Sequence, residues 1–314
     1  MQSDLAHTKN RSPILVTGGH RTGTTWIGRM LAASGEVAYI SEPLNVLHRS
    51  GVMNAPVGRW YPYICAENES TILPALRQTL AFRYHLVAEI LSLRSRKDLL
   101  RMGRDWSTFV KGRFNRLRPL LKDPFAVFSA PWFAARLGCE VVITVRHPAA
   151  FASSLKRLSW TFQHEDLLAQ PLLMRDWLEP FRGEMESMMP GDTIGRAGLL
   201  WKMIYTVVGE YRRRYPQFQI VCHEDLSLDP MHGFRALYSA LDLAFTFQAQ
   251  VTVLNASSAE NPKEVSAAAV HAYQVDSRAN LQNWKRRLSD EEIARLRKLT
   301  AGVVENYYSD SSWE

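Results

Sequence analysis

The feature that most constrains this chain is the segment Gly18-Gly19-His20-Arg21-Thr22-Gly23-Thr24-Thr25-Trp26, which directly follows the apolar run Ile14–Thr17. A short β-branched run ended by glycines and continued by a helical pattern to about Ala33 reads as a buried strand turning into a helix. Four residues separate Gly18 from Gly23. That is the spacing of loops whose backbone N–H groups surround a phosphate at a helix N-terminus. The departures matter as much. An ATP-binding loop of this kind has Lys directly after the second glycine; Thr24 stands there, and the cation has moved to Arg21. On this segment alone, a glycine-rich turn that holds nothing stays open.

Further strands are expected at Val37–Ile40, Arg118–Lys122, Val141–Val145 and Gln219–Cys222, with helical patterns between them. This alternation predicts an α/β fold: three layers, a parallel central sheet of about five strands, P-loop-like, with helical insertions. Ligands then belong at the carboxyl ends of the strands. Residues 43–117 are too many for a simple crossover and are expected to form a helical insertion on the acceptor side of the site. Within it, Thr79–Leu93 is interrupted by Arg83, His85 and Glu89 and predicts one amphipathic helix rather than a membrane span. Residues 1–12 are expected to be a flexible tail and 13–314 a single domain, since neither repeats nor a low-complexity linker divide the chain.

Composition narrows the partners. A net charge of +7 suits an anionic ligand. The basic residues are scattered apart from short clusters at Arg94–Lys97, Lys111–Arg118 and Arg212–Arg214, which argues against nucleic acid. Three dispersed cysteines, Cys65, Cys139 and Cys222, make neither a disulfide framework nor a zinc site, and Cys139 and Cys222 read as small buried side chains. With a polar opening segment, these features predict a reduced, cytoplasmic chain.

A second motif follows the clearest strand. Arg146 lies just past Val145, Pro148 suits the first turn of a helix, and Ser154 falls two turns along. A guanidinium and a hydroxyl so placed can converge on one phosphate. A kinase would carry a Mg²⁺-binding carboxylate at the end of such a strand, and Arg146 occupies that end.

Together the two motifs resemble the PAPS-dependent sulfotransferases, where PAPS is 3′-phosphoadenosine-5′-phosphosulfate. The resemblance rests on Arg21-Thr22-Gly23-Thr24-Thr25-Trp26 and on Arg146 with a Ser eight positions later, and runs over about 13–290 with 43–117 unmatched. It implies that the loop, Thr22 included, binds the donor, with Gly23, Thr24 and Thr25 on the 5′-phosphate and Arg21 on the bridging oxygen. It implies Trp26 against the adenine, although Trp26 also fits a helix core. Arg146 and Ser154 would hold the 3′-phosphate. Lys122-Asp123-Pro124 and the segment from His223 to Pro230 resemble family segments without a firm role; His223 stands where Tyr is usual. Arg278, ahead of Trp284-Lys285, resembles the last donor-binding segment, with altered spacing and a missing glycine.

Sulfuryl transfer requires a donor clamp, a cation on the leaving oxygen and a base for the acceptor hydroxyl, with no metal. Glu42, in Ser41-Glu42-Pro43 after the second strand, is the candidate base, followed by His48 and then His20; the alternative for Glu42 is a capping or solvated carboxylate. The aromatics and arginines of 43–117 favour a carbohydrate or glycolipid acceptor, although most of those aromatics also suit a helical core. The rival readings are a P-loop kinase and a nucleotide-binding module without catalysis.

Overall fold

The computed structural model describes residues 12–264 and 274–314. Apart from Ser12, the expected tail at 1–12 lies outside the described residues. Five strands, β1 Ile14–Gly18, β2 Val37–Ser41, β3 Arg118–Lys122, β4 Glu140–Val145 and β5 Gln219–Cys222, form one parallel sheet in the order β2-β3-β1-β4-β5. The strands read from the sequence are all present, displaced by a residue at most. β1 lies at the centre, and every residue of β1 and β3 is buried, as the near-continuous apolar run of β1 requires; in β3 this includes the terminal Arg118 and Lys122. Pro119, which cannot donate to a ladder, stands before the register with β1 begins at Leu120.

Alternate side chains divide between two cores. Ile14, Val16, Leu120 and Val142 face α1 (Thr24–Ala32) and the helices Pro230–Ala240 and Phe247–Ser257. Leu15, Leu121, Val141 and Ile143 face α5 (Ala130–Leu137), α6 (Pro148–Arg157) and the long helix Thr193–Arg214. Each such aliphatic side chain contributes roughly 1.5–3 kcal/mol over leaving it in water. The result is the expected three-layer arrangement. Cys139 is buried as expected, whereas Cys222 is half-buried on the edge strand.

Between β2 and β3 the chain forms α2 (Ile72–Leu80), α3 (Leu86–Ser92) and α4 (Arg96–Phe114). The single helix expected over Thr79–Leu93 is therefore two. The break falls at Phe82, whose backbone turns left-handed (φ 54°). Its buried ring lies where a Cβ on Gly112 of α4 would come within 2.6 Å of it. Tertiary packing of that ring overrides a helical pattern already weakened by its polar interruptions. Among the described residues no helix is long and apolar enough to cross a membrane.

Candidate functional site

The carboxyl ends of β1, β2, β3 and β4 open into one cavity of about 1280 Å³. This is where a parallel sheet presents loops and helix N-termini to a ligand. Beyond β1, Gly23 is the N-cap of α1 with φ 97°, a conformation costly for any residue with a Cβ. A Cβ there would also come within 2.5 Å of His223 Nδ1. No side chain caps α1, and its first turn carries no acidic residue. The N–H groups of that turn thus have no helical partner and face the cavity with the positive end of the helix dipole. Thr24 and Thr25 line the cavity beside them. Thr22 turns inward instead, its hydroxyl 2.5 Å from the Gly19 carbonyl and 2.6 Å from the Thr144 hydroxyl, and braces the loop.

Four guanidinium groups line one end of the cavity, those of Arg21, Arg146, Arg157 and Arg287. Arg21 Nε donates to Ser154 Oγ at 3.1 Å, and Arg146 Nη1 donates to the Arg21 carbonyl at 2.9 Å. The junction of β4 and α6 is fixed by Trp201, whose indole N–H donates to the Arg146 carbonyl at 2.7 Å. Burial pushes Arg21 down to about 10, and the charges of Arg146 and Arg157 push the same way. Arg146 is lowered by burial and by Arg287 and Arg157 against the opposing pull of Glu224. Glu264 pairs with Arg157 at 3.2 Å and also with Arg287. Among the described residues, the buried Arg146 Nε, Trp26 Nε1 and His223 Nδ1 around this end have no hydrogen-bond partner. Converging like charges and orphaned donors are what a polyanionic nucleotide relieves.

The adjoining wall carries the proton-transfer candidates. Glu42 follows β2 with a left-handed backbone, φ 50°. Its N–H donates to the Lys122 carbonyl at 2.8 Å, Asn45 Nδ2 donates to its Oε2 at 2.7 Å, and its Oε1 pairs with the buried Lys122 ammonium. His48 donates through Nδ1 to the Asn45 carbonyl at 2.9 Å, so Nε2 keeps the lone pair. His20 differs. Its backbone N–H donates to the Tyr61 hydroxyl at 3.0 Å, and its Nδ1 lies in hydrogen-bond contact with the same hydroxyl at 2.6 Å. Burial, aided by Arg21, pushes the ring down to about 4. His20 is therefore neutral near neutral pH. Behind these groups, burial and Glu42 push Asp123 up to about 7, although the backbone N–H groups of Leu44 and Phe125 donate to it at 2.5 and 3.0 Å.

Residues 13–247 match the sequence model described as the sulfotransferase family. The chain belongs to the sulfotransferase family. No curated protein matches it. Among solved structures it is similar to the sulfotransferase domain of the curacin biosynthetic pathway, with 15% identity, 93% of this chain and 98% of the other covered, and a TM-score of 0.46. It is also similar to the sulfotransferase domain of the Synechococcus PCC 7002 olefin synthase, with 15% identity, 99% of both chains covered and a TM-score of 0.46. A Mycobacterium tuberculosis sulfotransferase aligns at 19% identity over 93% of this chain and 77% of its own, with a TM-score of 0.40.

In this sulfotransferase-family chain, the cavity brings together Arg21, Gly23, Thr24, Thr25, Trp26, Glu42, His48, Arg146 and Ser154. Trp26 does double duty: it is 7% exposed and packs edge-on against His223 and Phe234, yet one edge reaches the cavity. Arg278 is not brought there. Its guanidinium donates to the Leu228 carbonyl at 2.8 and 3.1 Å, while Arg287 and Ser277 line the cavity in its stead. Arg157 and Arg287 were missed from the sequence. Arg157 was legible, since it lies one helical turn after Ser154 on the same face. Arg287 had no such signal, because a distant segment delivers it through the fold.

Proposed function

We propose that this chain transfers a sulfuryl group from PAPS to a hydroxyl-bearing acceptor. The observation that carries the reading is that the uncapped N-terminus of α1, four arginines and Glu42 share one cavity. In this reading Gly23, Thr24 and Thr25 hold the 5′-phosphate and Arg21 neutralises the bridging oxygen. Arg146 and Ser154 hold the 3′-phosphate, with Arg157 and Arg287 adding charge, and Trp26 and His223 border the adenine. The acceptor oxygen attacks sulfur in line, the bond from sulfur to the bridging oxygen breaks, and Glu42 takes the hydroxyl proton. Trp60, Arg104 and Phe109, from the insertion 43–117, also line the cavity and form its acceptor side in this reading. Aromatic and guanidinium surfaces of that kind favour a carbohydrate or glycolipid acceptor. Three free thiols agree with a reducing, cytoplasmic setting.

Calorimetric titration with 3′-phosphoadenosine-5′-phosphate, with ATP–Mg²⁺ in parallel, tests the reading. The bisphosphate is expected to bind, and Arg146→Ala to weaken it by about 1.5–3 kcal/mol through loss of a charged hydrogen-bonding group. Binding of ATP–Mg²⁺ with none of the bisphosphate would replace this reading with the kinase.

A further inference from the structure

The outer side of α4 is apolar where a solvent-facing helix is ordinarily polar. Leu99, Trp106, Val110 and Phe114 run along it at spacings of seven, four and four residues and are 53%, 48%, 46% and 86% exposed. The inner side, with Phe109 and Gly112, is buried. Nearby, α3 buries only Glu89 and exposes Val87 at 73% and Leu91 at 83%. Of the fifteen large apolar side chains exposed among the described residues, nine fall between Leu86 and Phe114. A concentration of that kind marks a binding surface, since single exposed apolar residues are ordinary and contiguous ones are not.

The charge of the same stretch identifies what it binds. Residues 86–116 carry eight basic and three acidic side chains, a net +5 out of +7 for the whole chain. The three carboxylates are already engaged: Glu89 is buried under Arg49, Asp98 lies 3.6 and 3.8 Å from Arg49 and Arg101, and Asp105 lies 3.5 Å from Arg104. Arg94, Arg96, Lys97, Lys111, Arg113 and Arg116 form no ion pair among the described residues and border the apolar side chains. We propose that α3 and α4 form a docking surface for an anionic lipid bilayer, with α4 lying in the headgroup plane. Apolar residues including an exposed Trp, flanked by Lys and Arg, are the chemistry such an interface selects. A second copy of the chain fits less well, because an isologous contact would bring two +5 surfaces together.

Arg101, Arg104 and Thr108 of the same helix line the acceptor end of the cavity. These three lie on the side of α4 opposite Leu99, Trp106, Val110 and Phe114, so docking holds the cavity about one helix diameter, roughly 10 Å, from the bilayer, and its acceptor would be a hydroxyl carried on an extended headgroup. Only this last consequence rests on the sulfotransferase reading.

Co-sedimentation of the full chain with vesicles of phosphatidylcholine alone, and with about one-third phosphatidylglycerol, tests the proposal without donor or turnover. We expect binding to the anionic vesicles that weakens with salt. A Leu91→Glu, Phe114→Glu double variant should lose at least about tenfold in vesicle affinity while keeping the wild-type melting temperature, since both side chains face solvent. No binding by the wild type, or binding untouched by the substitutions, overturns the proposal. So does a dimer seen by light scattering that the same substitutions dissolve, which would assign the surface to a second copy. Failure here leaves bisphosphate binding intact, so the two readings fail separately.

Discussion

Arg21 and Glu42 both stand in left-handed backbone, φ 65° and 50°, although neither is glycine. Such conformations cost of order 1–3 kcal/mol each and persist where the surroundings over-determine them. At Glu42 the over-determination is visible: its N–H, both carboxylate oxygens and Lys122 are tied together. Glu42→Gln preserves the shape and leaves an amide oxygen for the buried Lys122 ammonium, but removes the proton acceptor. The expected result is a fall in kcat of about 10²–10⁴ with unchanged affinity for the bisphosphate. Unchanged turnover would move the role to His48, whose Nε2 lone pair lies in the same cavity.

At the scale of elements, the joint between β1 and α1 carries the greatest constraint. Gly23→Ala asks a Cβ to adopt φ 97° and to enter space that His223 fills. The left-handed conformation alone costs about 1–2 kcal/mol. Differential scanning should show a lowered melting temperature, and calorimetry a loss of bisphosphate binding as the loop's N–H groups are displaced. A variant that binds as the wild type does would show that the loop is not the anion cradle. The break between α2 and α3 is the contrary case. Nothing in Thr79–Leu93 by itself demands a left-handed Phe82; the space opened by Gly112 of α4 does.

At the scale of the whole molecule, four histidines are held neutral. Burial lowers His20 and His164 to about 4 and His147 and His223 to about 3, with Arg21 assisting at His20 and Arg146 at His223. In the unfolded chain these rings take up protons near pH 6.5, so between there and about 4 the unfolded state binds more protons than the folded one. Stability therefore falls as pH falls through that window, by up to about 2 kcal/mol per histidine at pH 5. Asp123, raised to about 7, works in the opposite direction over the same range, as do the smaller upward shifts of Glu224, Asp105 and Asp166. The melting temperature should drop between pH 7 and pH 5; a flat or rising profile would show that these rings are not held neutral.

The sequence by itself determined the strands, the parallel α/β class and the two segments, after β1 and β4, that line the cavity. A buried strand is a continuous β-branched run, and a phosphate loop is a local spacing of glycines with a helix behind it, so both are written in adjacent residues. Arg146 and Ser154 were legible for the same reason, and Arg157 was within reach of the same argument. Only the tertiary structure decided that Arg287 rather than Arg278 enters the cavity, that Thr22 braces the loop, and that His20 is held neutral against Tyr61. It alone decided the pairing of Glu42 with Lys122 and the contiguity of the apolar and basic residues of α3 and α4. Each of these depends on which distant segment packs against which, and a direction in space is set by packing across the sheet, not by the order of residues along the chain.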